Sequence, residues 1–155
     1  MLPTIDEVAA RAAKHAMSFS EYREGSATEE YNALCAQADE IAAAQKEQVH
    51  PQHHEKIDRL LESYKRRMAE NINARNRNGA SCPSVLIAGP ANFPVAKKER
   101  QNAREATLMR EYEEITGLLD KIRAVGTGGI QSGDADAIER LQEKLDGLRA
   151  AHAEM

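Results

Sequence analysis

The chain has no tryptophan, and four tyrosines and two phenylalanines are its only other aromatics among 155 residues. With 30% charged residues, that scarcity suits a helical protein with a thin core of Leu, Ile, Ala and Met. No stretch approaches the roughly 20 apolar residues a membrane span needs, so no membrane partner is expected. Two cysteines, Cys35 and Cys82, fit neither a disulfide framework nor a zinc signature, which points to a reducing, cytoplasmic setting. Met1-Leu-Pro-Thr-Ile-Asp-Glu7 lacks the basic region and apolar run of a signal peptide. Gly-x-Ser-x-Gly, His-Glu-x-x-His, Gly-x4-Gly-Lys-Ser/Thr and Gly-x-Gly-x-x-Gly are all missing. Paired carboxylates such as Glu113 and Glu114 fall on a solvated helix side. The chain is therefore read as a non-enzyme, with no catalytic residue, metal or cofactor nominated.

What is present is helical periodicity. Thr4-Ile-Asp-Glu7, Ser18-Phe-Ser-Glu21 and Ser26-Ala-Thr-Glu29 have capping-box spacing. They predict a short helix at about 5–16 and a long one at about 28–48, with Gly25 as a break. The long helix carries Tyr31, Leu34, Cys35, Ala38, Ile41 and Ala42 at spacings of three and four; Cys35 on that face is a packing residue. Pro51 suits a first helical position and opens a helix at about 51–76, with Ile57, Leu60, Leu61, Tyr64, Met68 and Ile72 as its stripe. Asn78-Gly79 is a stop signal.

Pro94 opens a further helix at about 94–124, striped by Leu108, Tyr112, Ile115, Leu119 and Ile122. Gly126-Thr-Gly-Gly129 ends it, and Ser132, Asp134 or Asp136 can cap a last helix at about 134–153. There Ile138, Leu141, Leu145, Leu148, His152 and Met155 repeat a coiled-coil spacing. The last two helices are expected to pair as an antiparallel hairpin over 94–155. The fold class expected is all-α: one domain, 1–155, of long antiparallel helices with one ordered Gly/Pro-rich loop at about 78–94. The stripe reaches the final residue, which implies an open hairpin end or a longer protein.

The charge is unevenly placed. Residues 59–104 hold ten Lys/Arg against three Glu, a sum of +7, while 1–58 sum to −6 and 105–155 to −5. Arg59, Lys65, Arg66, Arg67, Arg75 and Arg77 lie on one helix, and Lys97, Lys98, Arg100 and Arg104 on the opening turns of the next. If the intervening loop folds back, the two clusters converge into one basic face that would neutralise phosphates in a salt-dependent way. The competing reading is a solvated face, or one docked on the protein's own acidic helices.

Within the loop, Ser84-Val-Leu-Ile-Ala88 favours an extended conformation. Gly89-Pro-Ala-Asn92 followed by Lys97-Lys98 has the outline of a phosphate cradle, but Pro90 and Pro94 remove two donors. Val85, Leu86, Ile87, Phe93 and Val95 are instead expected to be buried as a plug at the end of the core. His50, His53 and His54 cluster beside Glu55. The four-residue step between His50 and His54 can place two imidazoles on one metal, yet no further ligands are evident and His15 and His152 are remote, so these are taken as surface histidines.

Three phrases carry a resemblance: Ser18-Phe-Ser-Glu-Tyr-Arg-Glu-Gly-Ser-Ala-Thr-Glu-Glu-Tyr31, Ser84-Val-Leu-Ile-Ala-Gly-Pro-Ala-Asn-Phe-Pro94 with Lys97-Lys-Glu-Arg-Gln-Asn-Ala103, and Gly126-Thr-Gly-Gly129 preceding Asp134-Ala-Asp-Ala-Ile-Glu139. From about residue 10 onward the chain resembles a family of accessory proteins carried by phages, plasmids and integrative elements of gut bacteria. The resemblance implies the cytoplasm of a bacterial host cell, and in some members a second domain beyond this point. It also implies protection of the element's nucleic acid from host defence, of the anti-CRISPR or anti-restriction type. The expected function is thus non-enzymatic binding of nucleic acid or a host defence ribonucleoprotein through 59–104. The alternative is a structural or assembly role, with the 108–155 hairpin as a homo-oligomer seam.

Overall fold

The structure, a computed structural model, describes residues 1–127 and 137–154. Those residues are helical, with no strand among them: α1 (Glu7–Met17), α2 (Ser26–Gln48), α3 (His54–Ala80, entered through a 3-10 turn at Pro51–His53), α4 (Val85–Ala88), α5 (Val95–Ala124) and α6 (Ala137–Ala153). Contacts group the chain into two compact units, Met1–Val125 and Gly126–Met155.

In the first unit, α3 packs against α1, α2 and α5. The spacing of its apolar residues explains how. Ile57, Tyr64 and Met68 are fully buried, and Leu60, Leu61 and Ile72 are partly buried between neighbours. One cluster joins Tyr31 and Ala38 of α2, Tyr64, Met68 and Ala69 of α3, and Ile115 and Leu118 of α5. A second joins Ala42, Ile57, Ile122 and Val125. Cys35 is half-buried against the first cluster. Burial raises the pKa of both Tyr31 and Tyr64, so their phenols stay protonated. The Tyr31 hydroxyl donates to the Lys65 carbonyl at 2.9 Å.

Cross-helix contacts fix direction. Arg67 meets Glu114, Asn71 meets the Leu108 carbonyl, Arg75 meets Glu105, and Asn78 meets the Gln101 carbonyl. As numbers rise on α3 they fall on α5, so these two helices run in opposite directions. Helix α1 runs along α3 in the same direction. Asn73 accepts from the Asp6 N–H and donates to the Thr4 carbonyl, both at 2.8 Å. Further on, a Cβ at Gly79 would lie 3.3 Å from the Ala13 Cβ. The Asn78-Gly79 pair therefore does not stop α3, which continues to Ala80. Its glycine lets α1 approach closely.

The capping signals were used differently from their spacing. Asp6, not Thr4, caps α1 by accepting from the Ala9 N–H. Ser18 and Glu21 begin no helix; residues 18–25 are irregular. Glu7 leaves its own helix and caps α2. Its carboxylate accepts from the Tyr22 hydroxyl, the Thr28 hydroxyl at 2.6 Å, the Thr28 N–H at 2.9 Å and the Gly25 N–H at 3.3 Å. Gly25 takes φ 82° there, a left-handed conformation that glycine adopts without strain. The acceptor load, led by the Thr28 hydroxyl, lowers the Glu7 pKa from 4.5 to about 2.

In the second unit, α6 leaves Ile138, Leu141, Leu145 and Leu148 exposed, from 45% at Leu145 to 82% at Ile138. The hairpin expectation set these residues against α5. Within the first unit the apolar stripe of α5 is covered by α3 and α2, with Leu108, Ile115 and Ile122 almost wholly buried. Three/four spacing specifies that a helix has an apolar face, not which helix covers it. The expected caps Ser132, Asp134 and Asp136, and the final Met155, lie outside the described residues.

Two outcomes follow for stability. Leu108→Ala, at a fully buried site, is expected to cost about 2–5 kcal/mol, whereas Leu141→Ala, at an exposed one, should change stability by less than about 0.5 kcal/mol. Denaturant unfolding of both variants checks this, and equal large losses would return the seam to α6. The folded-state pKa of Glu7 lies below its ordinary value, so its stabilisation is complete above about pH 4.5 and is lost as pH falls toward 2. Glu7→Gln should cost about 1–2 kcal/mol at neutral pH and flatten the acid limb of the stability profile. Urea unfolding from neutral pH downward measures both effects.

Candidate functional site

The basic residues nominated from sequence separate into two groups. Six face carboxylates of the protein itself. Arg59 pairs with Glu55, Lys65 with Asp39 at 2.7 Å, Arg66 with Glu70 at 3.5 Å, and Arg67 with Glu114 at 3.4 Å. Arg75 pairs with Glu105 at 2.9 Å and lies over the Tyr112 ring, 5.8 Å from its centroid. Arg77 reaches Asp6 at 3.6 Å. Each such pair at a partly solvated site contributes at most about 1 kcal/mol. Their local effect is nonetheless decisive, since each places a negative charge beside a positive one. The α3 half of the proposed face is thus largely neutralised from within.

The α5 half differs. Lys97, Lys98, Arg100 and Arg104 occupy the first three turns and form no ion pair among the described residues. Helix α5 begins after Pro94, whose fixed φ of −77° suits a helix entry. Lys97, Arg100 and Arg104 are exposed, while Lys98 is half-buried and donates to the Gln101 Oε1 at 2.6 Å. Residues 95–104 hold four cations and one carboxylate, Glu99.

Gln101 fixes this end of α5. It is 5% exposed. Its Nε2 donates toward the carbonyls of Asn78 at 2.8 Å, Cys82 at 3.0 Å and Gly79 at 3.2 Å, while the Asn78 side chain donates to the Gln101 carbonyl. One amide thereby serves the orphan carbonyls at the end of α3 and ties them to the start of α5. Sequence reading missed Gln101. The available signal was its place seven residues before Leu108, on the face that α5 buries.

The loop also departs from expectation. Residues 85–88 form a single helical turn, α4, rather than an extended run. Val85, Leu86 and Val95 are exposed, and Ile87 and Phe93 are half-buried, so they do not plug the core. The apolar residue of this stretch that is fully buried is Cys82. A four-residue helix has no face broad enough to bury these side chains, and Gln101 already fills the space beneath the turn. The phosphate-cradle outline resolves into a Gly89 at φ 81° and an Asn92 at φ 54° that turn the chain between α4 and α5.

The histidines are accounted for by local bonds. His50 caps the 3-10 turn by accepting from the Gln52 N–H, and the His54 Nε2 lies 2.9 Å from the Lys46 carbonyl. Among the described residues no three His, Cys, Asp or Glu side chains converge as a metal set, and no helix is long and apolar enough to cross a membrane. A cleft of about 570 Å3 opens between α1, α2, α3 and α5. Leu34, Met68 and Ile72 supply apolar lining, and Arg75, Lys98 and Glu30 supply charge.

No protein-family model, no curated protein and no solved structure matches this chain.

Gln101→Leu keeps the volume and removes the donors. The Asn78 carbonyl keeps the Ser81 N–H and hydroxyl, but taking the Nε2 donor from the Cys82 and Gly79 carbonyls should cost about 1–3 kcal/mol and accelerate amide exchange across residues 81–90. Hydrogen exchange with mass readout checks this; unchanged protection there would mean that the α3–α5 turn is held by something other than Gln101.

Proposed function

We propose that this chain is a non-enzymatic binding protein that engages an anionic partner, nucleic acid or a host defence ribonucleoprotein, through the first three turns of α5. The observation that supports this reading is the distribution of unpaired positive charge. Among the described residues six of the ten nominated cations are matched by internal carboxylates, and the four that are not, Lys97, Lys98, Arg100 and Arg104, share one helix start. Unmatched cations attract anions at range and release counterions on contact. As an accessory protein of a mobile element, the chain would act in the cytoplasm of a bacterial host, as a shield of the anti-CRISPR or anti-restriction type.

A second reading is favoured by a different observation. The exposed Ile138, Leu141, Leu145 and Leu148 of α6 form an uncovered apolar stripe, which would serve a structural or assembly role by self-association. Light scattering across concentration separates the two, because α5 binding requires no oligomer.

Replacing Lys97 and Lys98 with Glu turns +2 into −2 at the helix start. Because Lys97 is exposed and Lys98 only half-buried, the fold should survive. Affinity for oligonucleotides or for a purified defence ribonucleoprotein should fall at least about tenfold at low salt, with a shallower salt dependence. Gel-shift titrations at several salt concentrations measure both. A folded double variant with unchanged affinity would move the partner surface to α6 or to the acidic helices.

A further inference from the structure

The end of the first unit that carries the α5 cations also carries exposed apolar side chains. Four segments meet there. The Ser84 N–H, just before α4, donates to the Ala16 carbonyl of α1 at 2.9 Å. Gln101 of α5 is bonded to the last turn of α3 and to Cys82. Met17 of α1 and Lys98 of α5 line the same cleft. Met17, Phe19, Val85, Leu86 and Val95 belong to these segments and are all exposed, with Phe19 at 76% and Leu86 at 70%. Only four other large apolar residues of the first unit are exposed: Met1, Leu2, Val8 and Met109. The concentration at one end is therefore a property of that end rather than of the surface at large. An apolar patch rimmed by charge marks an interaction site.

The chemistry of the patch selects among anionic partners. Phe19 is the one aromatic of the patch, and the Val85, Leu86, Val95 and Met17 that make up the rest provide no stacking platform for successive bases. Glu21 and Glu99 are exposed on the same segments, and a phosphate backbone or an anionic bilayer, uniformly negative, would be repelled by both. A protein segment can match mixed charge residue by residue. Resting on the α5 reading above, we infer that this end docks an acidic amphipathic helix of a protein partner. Its apolar face meets Leu86, Val85 and Val95, and its carboxylates meet Lys97, Lys98 and Arg100. This is the helix-in-groove mode, in which apolar anchors recur at i, i+3, i+4 and i+7. The neighbouring cleft of about 570 Å3 gives one anchor side chain a place to enter beside Met17.

The test uses the full chain and four probes. The first is a labelled helical peptide with Leu on one face and, on the other, mostly Glu with a minority of Lys to meet Glu21 and Glu99. The second is the same composition shuffled so that no face is apolar. The third is a set of single-stranded and duplex oligonucleotides, and the fourth is vesicles of phosphatidylglycerol and phosphatidylcholine. Fluorescence anisotropy should show saturable binding of the first peptide, with the shuffled one at least about tenfold weaker. Leu86→Ser combined with Val95→Ser, and separately Lys97→Glu combined with Lys98→Glu, should each weaken the amphipathic peptide at least about tenfold. Phe19→Ser, on a different segment, provides an independent apolar variant, and circular dichroism confirms the fold of each. Absence of peptide binding overturns the inference, as does equal affinity for the shuffled peptide. Oligonucleotide or vesicle binding that is insensitive to Leu86→Ser and Val95→Ser but lost in the lysine variant overturns it too, while leaving the anionic-partner reading intact. If the lysine variant changes the binding of no probe, both fail.

Discussion

Helix α3 must be covered on several sides at once, and the rest of the first unit follows from how that is done. Ile57, Tyr64 and Met68 are buried between α2 and α5, and Ala69 admits a close neighbour. Toward its C-terminus Gly79 brings α1 within van der Waals contact at Ala13. With so much of α3 enclosed, several of its polar residues must find partners inside. Asn71 donates to the Leu108 carbonyl, Asn73 clamps the segment before α1, and Asn78 exchanges hydrogen bonds with Gln101. Buried amides that are hydrogen-bonded in this way fix register, because sliding a helix by one turn would orphan them.

The same crowding explains the fate of the basic residues. A cation at the edge of a covered helix meets whatever charge the neighbouring helix carries, and α2 and α5 carry carboxylates at those places. Asp39 meets Lys65, Glu114 meets Arg67, and Glu105 meets Arg75. Such pairs contribute little to stability at partly solvated sites, but they erase local field. No carboxylate among the described residues pairs with a cation in the first turns of α5, where Lys97, Lys98, Arg100 and Arg104 keep theirs.

At that end the features are linked through the short turn between α3 and α5. Gln101 holds the turn, and the turn positions α4 with Val85 and Leu86 outward. The Ser84 N–H ties it to α1. A charged helix start, an exposed apolar turn and a cleft are therefore borne on elements fixed to one another by buried hydrogen bonds. This is the kind of rigid presentation that lowers the entropy a partner must lose on binding.

What the sequence by itself determined is the helical class, the approximate extent of α2, α3 and α5, and which face of each is apolar. These are local properties, set by three/four spacing, by Pro94 and by Gly25, and need no knowledge of neighbours. What only the tertiary structure decided is pairing. The stripe on α5 could serve any apolar helix face, and within the first unit α3 covers it, with Asn71, Arg75 and Asn78 matching its carbonyls and carboxylates over several turns. The capping box at Thr4 was legible as a pattern, but Glu7 bonds across to α2, since Thr28 and Tyr22 offer a carboxylate more donors than its own helix does. The basic stretch at 59–104 was legible as a sum of charge. Which cations remain unmatched depends on carboxylates as far away in sequence as Asp6 and Glu114. Coulomb interactions act over distance in space, and a sequence supplies only distance along the chain.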